Sequence, residues 1–340
     1  MNNLIKINEH SKTPKYRQII NSVIKGIENE ELKLKDRLPS VNKLLIHFDI
    51  SRDTVVKAYD CLKEMNVIES VPGKGYYVKN TNFKRKLRVF LLFNKLSPHK
   101  KIIYDSFVET LDDKATIDFF IYNNNYRLFK DLLLANKEEN YTHFVIIAHF
   151  LGGGKTEAVE LINQIPKHKL LLLDKKIEGV DGKYAAVYQD FEKDIYTALV
   201  EALDWLKKYA CLKIIFPSYG YHPKAIIRGF KTFCAEYAFD CKIVKEINSE
   251  PIQKDEAYIN LREDDLVSLI KRIKHMDLKL GKDVGLLSYN ETPIKEILMD
   301  GITVISTDFE KLGKTAAHLI LENKKEHIAN PFNLVVRNSL

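Results

Sequence analysis

The 340-residue sequence predicts an α/β protein in two parts: a small N-terminal module of three helices and a hairpin, then a large, doubly wound α/β body. Three observations predict it. Between residues 15 and 65 apolar residues recur at three-four spacing, the period of amphipathic helices. From Leu87 onward short apolar runs alternate with amphipathic stretches, the βαβα rhythm of a parallel sheet covered on both faces. Charge is also partitioned: residues 1–86 hold 17 Lys+Arg against 10 Asp+Glu, so the whole net charge of +7 lies there and the remaining 254 residues balance to zero.

Apolar residues make up 45% and charged residues 29% of the chain, which places it among folding globular proteins and excludes a disordered one. The longest apolar runs, such as Val89 to Phe93, fall far short of the ~20 residues a membrane span needs. The N-terminus has no charged flank leading into an apolar core. No membrane partner is expected, and the chain is placed in the cytoplasm. Cys61, Cys211, Cys234 and Cys241 are scattered without a C-x-x-C pair and read as reduced, mostly buried thiols, so neither metal, disulfide nor cofactor is implied.

In the first module (residues 1–80), Tyr16, Ile19, Ile20, Val23, Ile24 and Ile27 mark a helix that Pro14 opens, where a missing N–H costs least. Val41, Leu44, Leu45 and Phe48 mark a short second helix capped by Ser40 and ended at Asp49-Ile50. The third starts at the cap Ser51 and aligns Val55, Ala58, Tyr59, Leu62 and Met65 on one stripe. Val67 to Ser70, the turn Pro72-Gly73-Lys74-Gly75 and Tyr76 to Lys79 then read as a hairpin. Three helices and a hairpin make a winged helix-turn-helix. With its stripe packed inward, the third helix presents Ser51, Arg52, Asp53, Thr54 and Lys57 at the end that enters the major groove in such motifs. Arg52 suits a bidentate contact to guanine, Ser51 and Thr54 suit phosphates, and Val56 a thymine methyl. Gly73, Lys74 and Gly75 would let the wing approach the DNA backbone. Double-stranded DNA is the expected partner.

The runs Asp36-Arg37-Leu38-Pro39-Ser40, Ser51-Arg52-Asp53-Thr54-Val55, Ile68-Glu69-Ser70 and Pro72-Gly73-Lys74-Gly75 resemble the N-terminal domain of GntR-family bacterial transcription regulators. The resemblance adds Ser40 and Asn42 to the expected DNA contacts. The family's acidic residue and arginine after Pro-Ser are here Val41 and Asn42, and a frequent arginine one turn past Ser-Arg is here Val56. Fewer basic base contacts are available, and the operator need not follow the family's usual pattern.

Residues 81–86 are polar and basic and read as a linker, leaving 87–340 as the second domain. There Leu87 to Phe93, Ile117 to Tyr122, Phe144 to Ala148, Leu170 to Leu173, Ala185 to Tyr188, Leu212 to Pro217 and Lys242 to Ile247 read as strands. Helices fall between them, including a long one through Trp205, whose indole reads as core. Ten or so strands make one large sheet or two similar lobes. Doubly wound sheets bind ligands beyond the carboxyl ends of their strands. That places Phe93-Asn94, His149-Phe150, Asp174-Lys175, Gln189-Asp190, Ser218-Tyr219, Arg262-Glu263 and Asn290-Glu291 as candidates. Such amides, carboxylates, cations and aromatics suit a polyhydroxylated ligand. Phe93, His149, Asp174, Asp190, Ser218, Arg262, Glu263, Asn290 and Glu291 are the named contacts.

The body also resembles the effector domain of LacI-type repressors, itself similar to periplasmic sugar-binding proteins. The match is carried by Gly281-Lys282-Asp283-Val284, Ser288-Tyr289-Asn290-Glu291, Ile302-Thr303-Val304, Leu312-Gly313-Lys314-Thr315-Ala316-Ala317 and Val336-Arg337-Asn338-Ser339-Leu340. It implies two lobes closing on a small sugar, a homodimer, and repression of a carbohydrate operon. Asn290 stands where that family has a sugar-binding aspartate. The family's arginine three residues before Gly-Phe is here Ile226, leaving Arg228 or Lys224 to replace it. GntR and LacI-type fusions of this kind make a pentose or 6-deoxyhexose, such as L-arabinose or L-fucose, the leading effector.

Two other readings stand beside this one. The body could serve only for dimerisation, without a ligand. It could also be a nucleotide-using enzyme, since Gly152-Gly153-Gly154-Lys155-Thr156 follows a strand and precedes a helix, but a phosphate-binding loop needs glycine where His149 stands.

Overall fold

The computed structural model of the chain describes residues 4–9, 11, 13–81, 86–137, 139–151, 153–217 and 222–340. They fall into two compact units: Met1–Leu87 with Asp131–Tyr141, and Arg88–Lys130 with Thr142–Leu340.

In the first unit the three-four spacing becomes helices α1 (Lys15–Glu28), α2 (Val41–Phe48) and α3 (Arg52–Glu64), followed by the antiparallel hairpin β1 (Ile68–Val71) and β2 (Gly75–Val78). The stripes of α1 and α3 form one core, with Ile19, Val23, Val55, Ala58, Tyr59 and Leu62 all essentially inaccessible. Ser40 and Ser51 accept from the backbone N–H groups of Lys43 and Thr54, so each cap satisfies a donor that the first turn leaves open. Asp49, left-handed at φ 45°, ends α2. The Tyr59 hydroxyl donates to the Pro39 carbonyl at 2.6 Å, tying α3 to the start of α2. Residues 35–38 run along the wing as an added edge: Lys35 N–H donates to Val78 O, Val78 N–H to Asp36 O, and Leu38 N–H to Tyr76 O.

The second unit contains two sheets of six strands. Its elements in chain order are β3 (Leu87–Phe93), α4 (Pro98–Leu111), β4 (Ala115–Ile121), α5 (Tyr126–Asn136), β5 (His143–Ile146), α6 (Lys155–Asn163), β6 (Leu170–Asp174) and β7 (Ala185–Tyr188), then α7 (Phe191–Glu201), α8 (Leu203–Leu206), β8 (Cys211–Ile215), α9 (Ala225–Glu236), β9 (Asp240–Val244), β10 (Glu256–Asn260), α10 (Glu263–His275), β11 (Val284–Tyr289), α11 (Pro293–Ile297), β12 (Thr303–Thr307), α12 (Phe309–Leu321), β13 (His327–Ala329) and β14 (Phe332–Val335). The first sheet runs β13-β7-β6-β5-β3-β4 and the second β14-β12-β11-β10-β8-β9. Their inner strands include fully buried runs such as Leu170–Asp174 and Val284–Tyr289, as two-sided covering requires, whereas the edge strands β4, β9, β13 and β14 are partly exposed. In the second sheet the edge strand β14 pairs antiparallel with β12.

The chain passes from one sheet's lobe to the other three times: after β7 into α7, after β12 into α12, which packs on α4, and after β13 into β14. One buried residue meets all three passages. The Asn330 amide donates to Thr307 Oγ1 at 2.9 Å and to the Asp308 carbonyl at 2.8 Å, while its backbone N–H donates to the Tyr188 carbonyl at 2.7 Å.

Several sequence expectations change here. The long helix through Trp205 is α7 and α8, parted at Ala202, and Trp205 is 41% exposed rather than core. Only Cys234 is a buried thiol: Cys61 and Cys211 are half-buried and Cys241 lies exposed on edge strand β9. Of the two arrangements that the strand count left open, the bilobed one forms, with six strands in each sheet.

Candidate functional site

The residues expected to contact DNA sit as the helical pattern dictates. Arg52, Asp53 and Ser51 are exposed at the start of α3, and Val56 is half-buried rather than free. The Ser51 and Thr54 hydroxyls are engaged with each other at 2.8 Å. The Lys57 ammonium lies 4.5 Å from the Tyr16 ring centre, a cation–π seat that anchors its stem. Asn42 is exposed on α2, and Ser40 combines its capping role with an exposed position. In the wing Gly73, Lys74 and Gly75 form the turn. Gly75 needs its glycine for a φ of 107°, and the Arg37 guanidinium packs 3.6 Å from where a Cβ would stand. Arg37 thus joins the wing's exposed basic groups. Its register in the edge 35–38 is a tertiary pairing that helical or hairpin periodicity does not signal.

Between the two lobes of the second unit lies a cavity of about 330 Å³. It is built from the carboxyl ends of the strands, as a doubly wound fold requires. From the first lobe come Asn94 after β3, His99 and Lys100 on the first turn of α4, His149 after β5, Asp174 at the end of β6 and Gln189 after β7. From the second come Arg262 and Glu263 at the start of α10, and Tyr289 and Asn290 at the end of β11. Phe191, Ile226 and Phe309 supply apolar wall.

Asp174 organises the first-lobe half. Its carboxylate accepts from Lys100 Nζ at 2.8 Å, His149 Nε2 at 2.8 Å and Gln189 Nε2 at 2.7 Å. Burial pushes the carboxyl up, but the Lys100 ammonium and the His149 hydrogen bond outweigh it and hold Asp174 well below the usual carboxylate range. Burial likewise pushes the His149 imidazolium down, against the pull of Asp174, so His149 acts as a neutral donor. The Tyr122 hydroxyl fixes that histidine by accepting its backbone N–H at 2.7 Å.

The cavity is under-satisfied. Among the described residues, twelve buried side-chain polar atoms lack a hydrogen-bond partner, and five of them, Asn94 Oδ1, His99 Nδ1, Gln189 Oε1, Tyr289 Oη and Asn290 Oδ1, belong to residues that line this cavity. An unpaired buried polar atom costs about 1–3 kcal/mol, so five on the residues around one cavity concentrate that cost in one place. Gln189 and Asn94 have their amide N–H groups committed to Asp174 and to Asn124 Oδ1, which leaves their oxygens as the unpaired acceptors. Three amide oxygens require hydrogen-bond donors. Hydroxyl groups donate, whereas phosphate and carboxylate offer only acceptors. Burial lowers the His99 pKa and raises that of Tyr289 well above its ordinary value, so both stay neutral.

The structure chooses between neighbours that sequence reading could not separate. In Phe93-Asn94 the phenyl ring packs into the core, edge-on to Phe119 at 5.2 Å, and Asn94 lines the cavity. In Gln189-Asp190 the amide turns inward, while Asp190 lies at the start of α7 on a separate depression with Glu192 and Thr232. In Asn290-Glu291, Asn290 lines the cavity and Glu291 turns to Arg337 at 2.6 Å. His149, Asp174, Arg262 and Glu263 all line it. Arg228 is placed elsewhere, exposed and bound to Glu192 at 2.7 Å, and Lys224 is exposed at the start of α9. The wall position is taken by Ile226, because Gly229 lets α9 press so close to α7 that an added Cβ would stand 2.1 Å from the Glu192 carbonyl. Ser218 lies outside the described residues. Sequence reading missed His99, Lys100, Tyr289 and Phe309. The Ser97-Pro98 helix start directly after β3 was the available signal for His99 and Lys100.

Among the described residues no group of three or more His, Cys, Asp or Glu could hold a metal ion, and no helix is long and apolar enough to cross a membrane.

Comparison with known proteins agrees with this architecture. Residues 15–78 match the model of bacterial regulatory proteins of the gntR family, and residues 213–340 that of the periplasmic binding protein-like domain. Over 66 residues the chain is 42% identical to the mannosyl-D-glycerate transport/metabolism system repressor MngR of Escherichia coli strain K12, covering 19% of this chain and 28% of that protein. Over 79 residues it is 38% identical to the HTH-type transcriptional repressor YtrA of Bacillus subtilis strain 168, covering 22% of this chain and 58% of that protein. The chain therefore spans well under two thirds of these relatives. Among solved structures, the trehalose repressor from Escherichia coli superposes with a TM-score of 0.60 at 14% identity, over 74% of this chain and 100% of that one.

Proposed function

We propose that this chain, a GntR-type helix-turn-helix domain joined to a LacI-like, periplasmic-binding-protein-like body, is a ligand-controlled transcription repressor of a carbohydrate operon. Two copies bind a pseudo-palindromic operator through α3 and the wing, and a small uncharged sugar in the cavity between the lobes changes that binding. The observation that carries the reading is that five of the residues lining one cavity each keep a buried polar atom without a partner, three of these atoms being amide oxygens. The cavity volume lies in the range of small-molecule sites. The demand for donors favours a neutral polyol over a phosphorylated or acidic sugar, with a pentose or 6-deoxyhexose such as L-arabinose or L-fucose as the first choice. Two of the relatives that match the first domain, MngR and YtrA, are named as repressors, which supports the direction of control.

Linkage requires that the sugar bind the DNA-free protein more tightly by the factor by which it weakens operator binding, typically about 1–3 kcal/mol. The test is a thermal-shift screen against monosaccharides and their phosphates. A ligand at 100 times its Kd stabilises by about 2.7 kcal/mol, roughly 5–10 °C for a body of this size. A single neutral sugar should stand out. A response confined to sugar phosphates overturns the ligand class, and silence across the panel favours a body that only dimerises.

A further inference from the structure

We infer that Lys295, a side chain remote from the ligand space itself, is the positioning residue that shapes the second-lobe half of the cavity. The inference rests on the effector-site reading above. Lys295 lies in the five-residue helix α11 with its side chain 1% exposed, the most buried cation in a charge-rich protein. An ammonium has three donors and can accept nothing. Here all three are spent: on the Tyr289 carbonyl at 3.2 Å, on the Asn290 carbonyl at 2.6 Å and on Glu263 Oε1 at 2.9 Å. Those partners come from the ends of two different strands, β10 with the start of α10, and β11. One ammonium therefore clamps together the two loops that form that side of the cavity.

The clamp has a geometric consequence. Two carbonyls can converge on one nitrogen only because Asn290 takes a left-handed backbone, φ 63°, while its N–H is held by the Ile305 carbonyl. Lys295 holds both carbonyls, while the Tyr289 hydroxyl and the Asn290 amide oxygen stay unpaired on residues that line the cavity. The same contact explains Glu263. It lines the cavity, but its carboxylate is committed to Lys295, so it serves as the counter-ion that allows a buried ammonium rather than as a sugar ligand. The charged and titratable groups that act on Lys295 are Glu263 and Glu291, the latter bridged to Arg337; on the first-lobe side His99 feels its charge. Burial lowers the Lys295 pKa and Glu263 holds it up, so removing that carboxylate brings loss of the proton into an accessible range.

The experiment measures sugar affinity by calorimetry, with the sugar giving the largest thermal shift in a panel containing L-arabinose, L-fucose and their stereoisomers, on the full-length protein. Lys295→Met keeps the length of the side chain and removes its donors. It should raise the sugar Kd at least tenfold while operator affinity without sugar stays within twofold of the parent. In case that variant fails to fold, Glu263→Gln is followed from pH 7 to 9.5. It should bind more weakly than the parent, and its deficit should grow as pH rises toward 9.5, because Lys295 loses its proton at lower pH once the carboxylate is gone. A folded Lys295→Met variant with unchanged sugar affinity overturns the positioning role. So does a Glu263→Gln variant whose loss is the same at every pH, which would make Glu263 a direct sugar contact. If no sugar in the panel binds the parent protein, the effector-site reading falls, and this inference with it.

Discussion

Replacing Asp174 with asparagine tests whether the first-lobe half of the cavity is an electrostatic unit. The carboxylate is 3% exposed and faces the Lys100 ammonium, itself 8% exposed, at 2.8 Å. Asn keeps the volume and one acceptor but leaves that cation buried without an anion. Breaking a buried pair on one side costs about 3–5 kcal/mol, which for a body of this size lowers the melting temperature by roughly 6–20 °C. Adding Lys100→Met should restore most of the loss, because an apolar pair of similar volume often matches a buried ion pair. Calorimetric melts of the parent, both single variants and the double variant complete the cycle. Because Asp174 is held well below the usual carboxylate range, its contribution is complete above the unfolded value of about 3.9 and is lost only as pH falls through the depressed folded value. The deficit of Asp174→Asn should therefore be constant from pH 8 to pH 5. A melt within about 2 °C of the parent, or a double variant no more stable than Asp174→Asn, would refute the reasoning.

Three further outcomes are expected. Arg52→Ala should weaken specific operator binding about ten- to hundredfold, the worth of a bidentate base contact, with sugar affinity unchanged; equal affinity in a shift assay removes Arg52 from the groove. Asn330→Asp keeps the shape of the residue but takes away the amide donors that meet two of the three inter-lobe passages. It should shrink the effect of sugar on operator affinity at least fivefold, measured by titrating DNA with and without sugar, and an undiminished effect rejects Asn330 as the coupling point. Burial lowers the His143 pKa to about 4. A histidine depressed when folded contributes stability that is complete above about 6.5 and is lost as pH falls toward 4. His143→Gln should flatten up to about 3 kcal/mol of that acid slope in denaturant melts, and a parent curve flat over that window contradicts it.

Legibility followed the range of the interaction. The helices α1, α2 and α3, their serine caps and the glycine turn of the wing depend on residues within one or two turns of each other, so periodicity and capping chemistry sufficed. The alternation of strands and helices located the rim of the cavity for a similar reason, since strand ends are local events. What lay beyond local pattern was the choice within each rim pair. Whether Phe93 or Asn94, Gln189 or Asp190, Asn290 or Glu291 turns inward depends on where the strand stops alternating and which partner, such as Phe119 or Arg337, captures the other side chain. Lys100 and Lys295 look in sequence like ordinary surface lysines, and only tertiary packing places each against a buried or shared carboxylate.

The sequence by itself determined the two-part architecture, the basic charge of the first part and the presentation of Arg52, because amphipathic period, cap and charge are properties of short segments. Tertiary structure alone decided that Asn330 meets all three passages between the two sheets, and that five residues lining one cavity each keep an unpaired buried polar atom. Each of these is set by groups far apart in the chain, whose hydrogen bonds and burial are defined only when the sheets have formed.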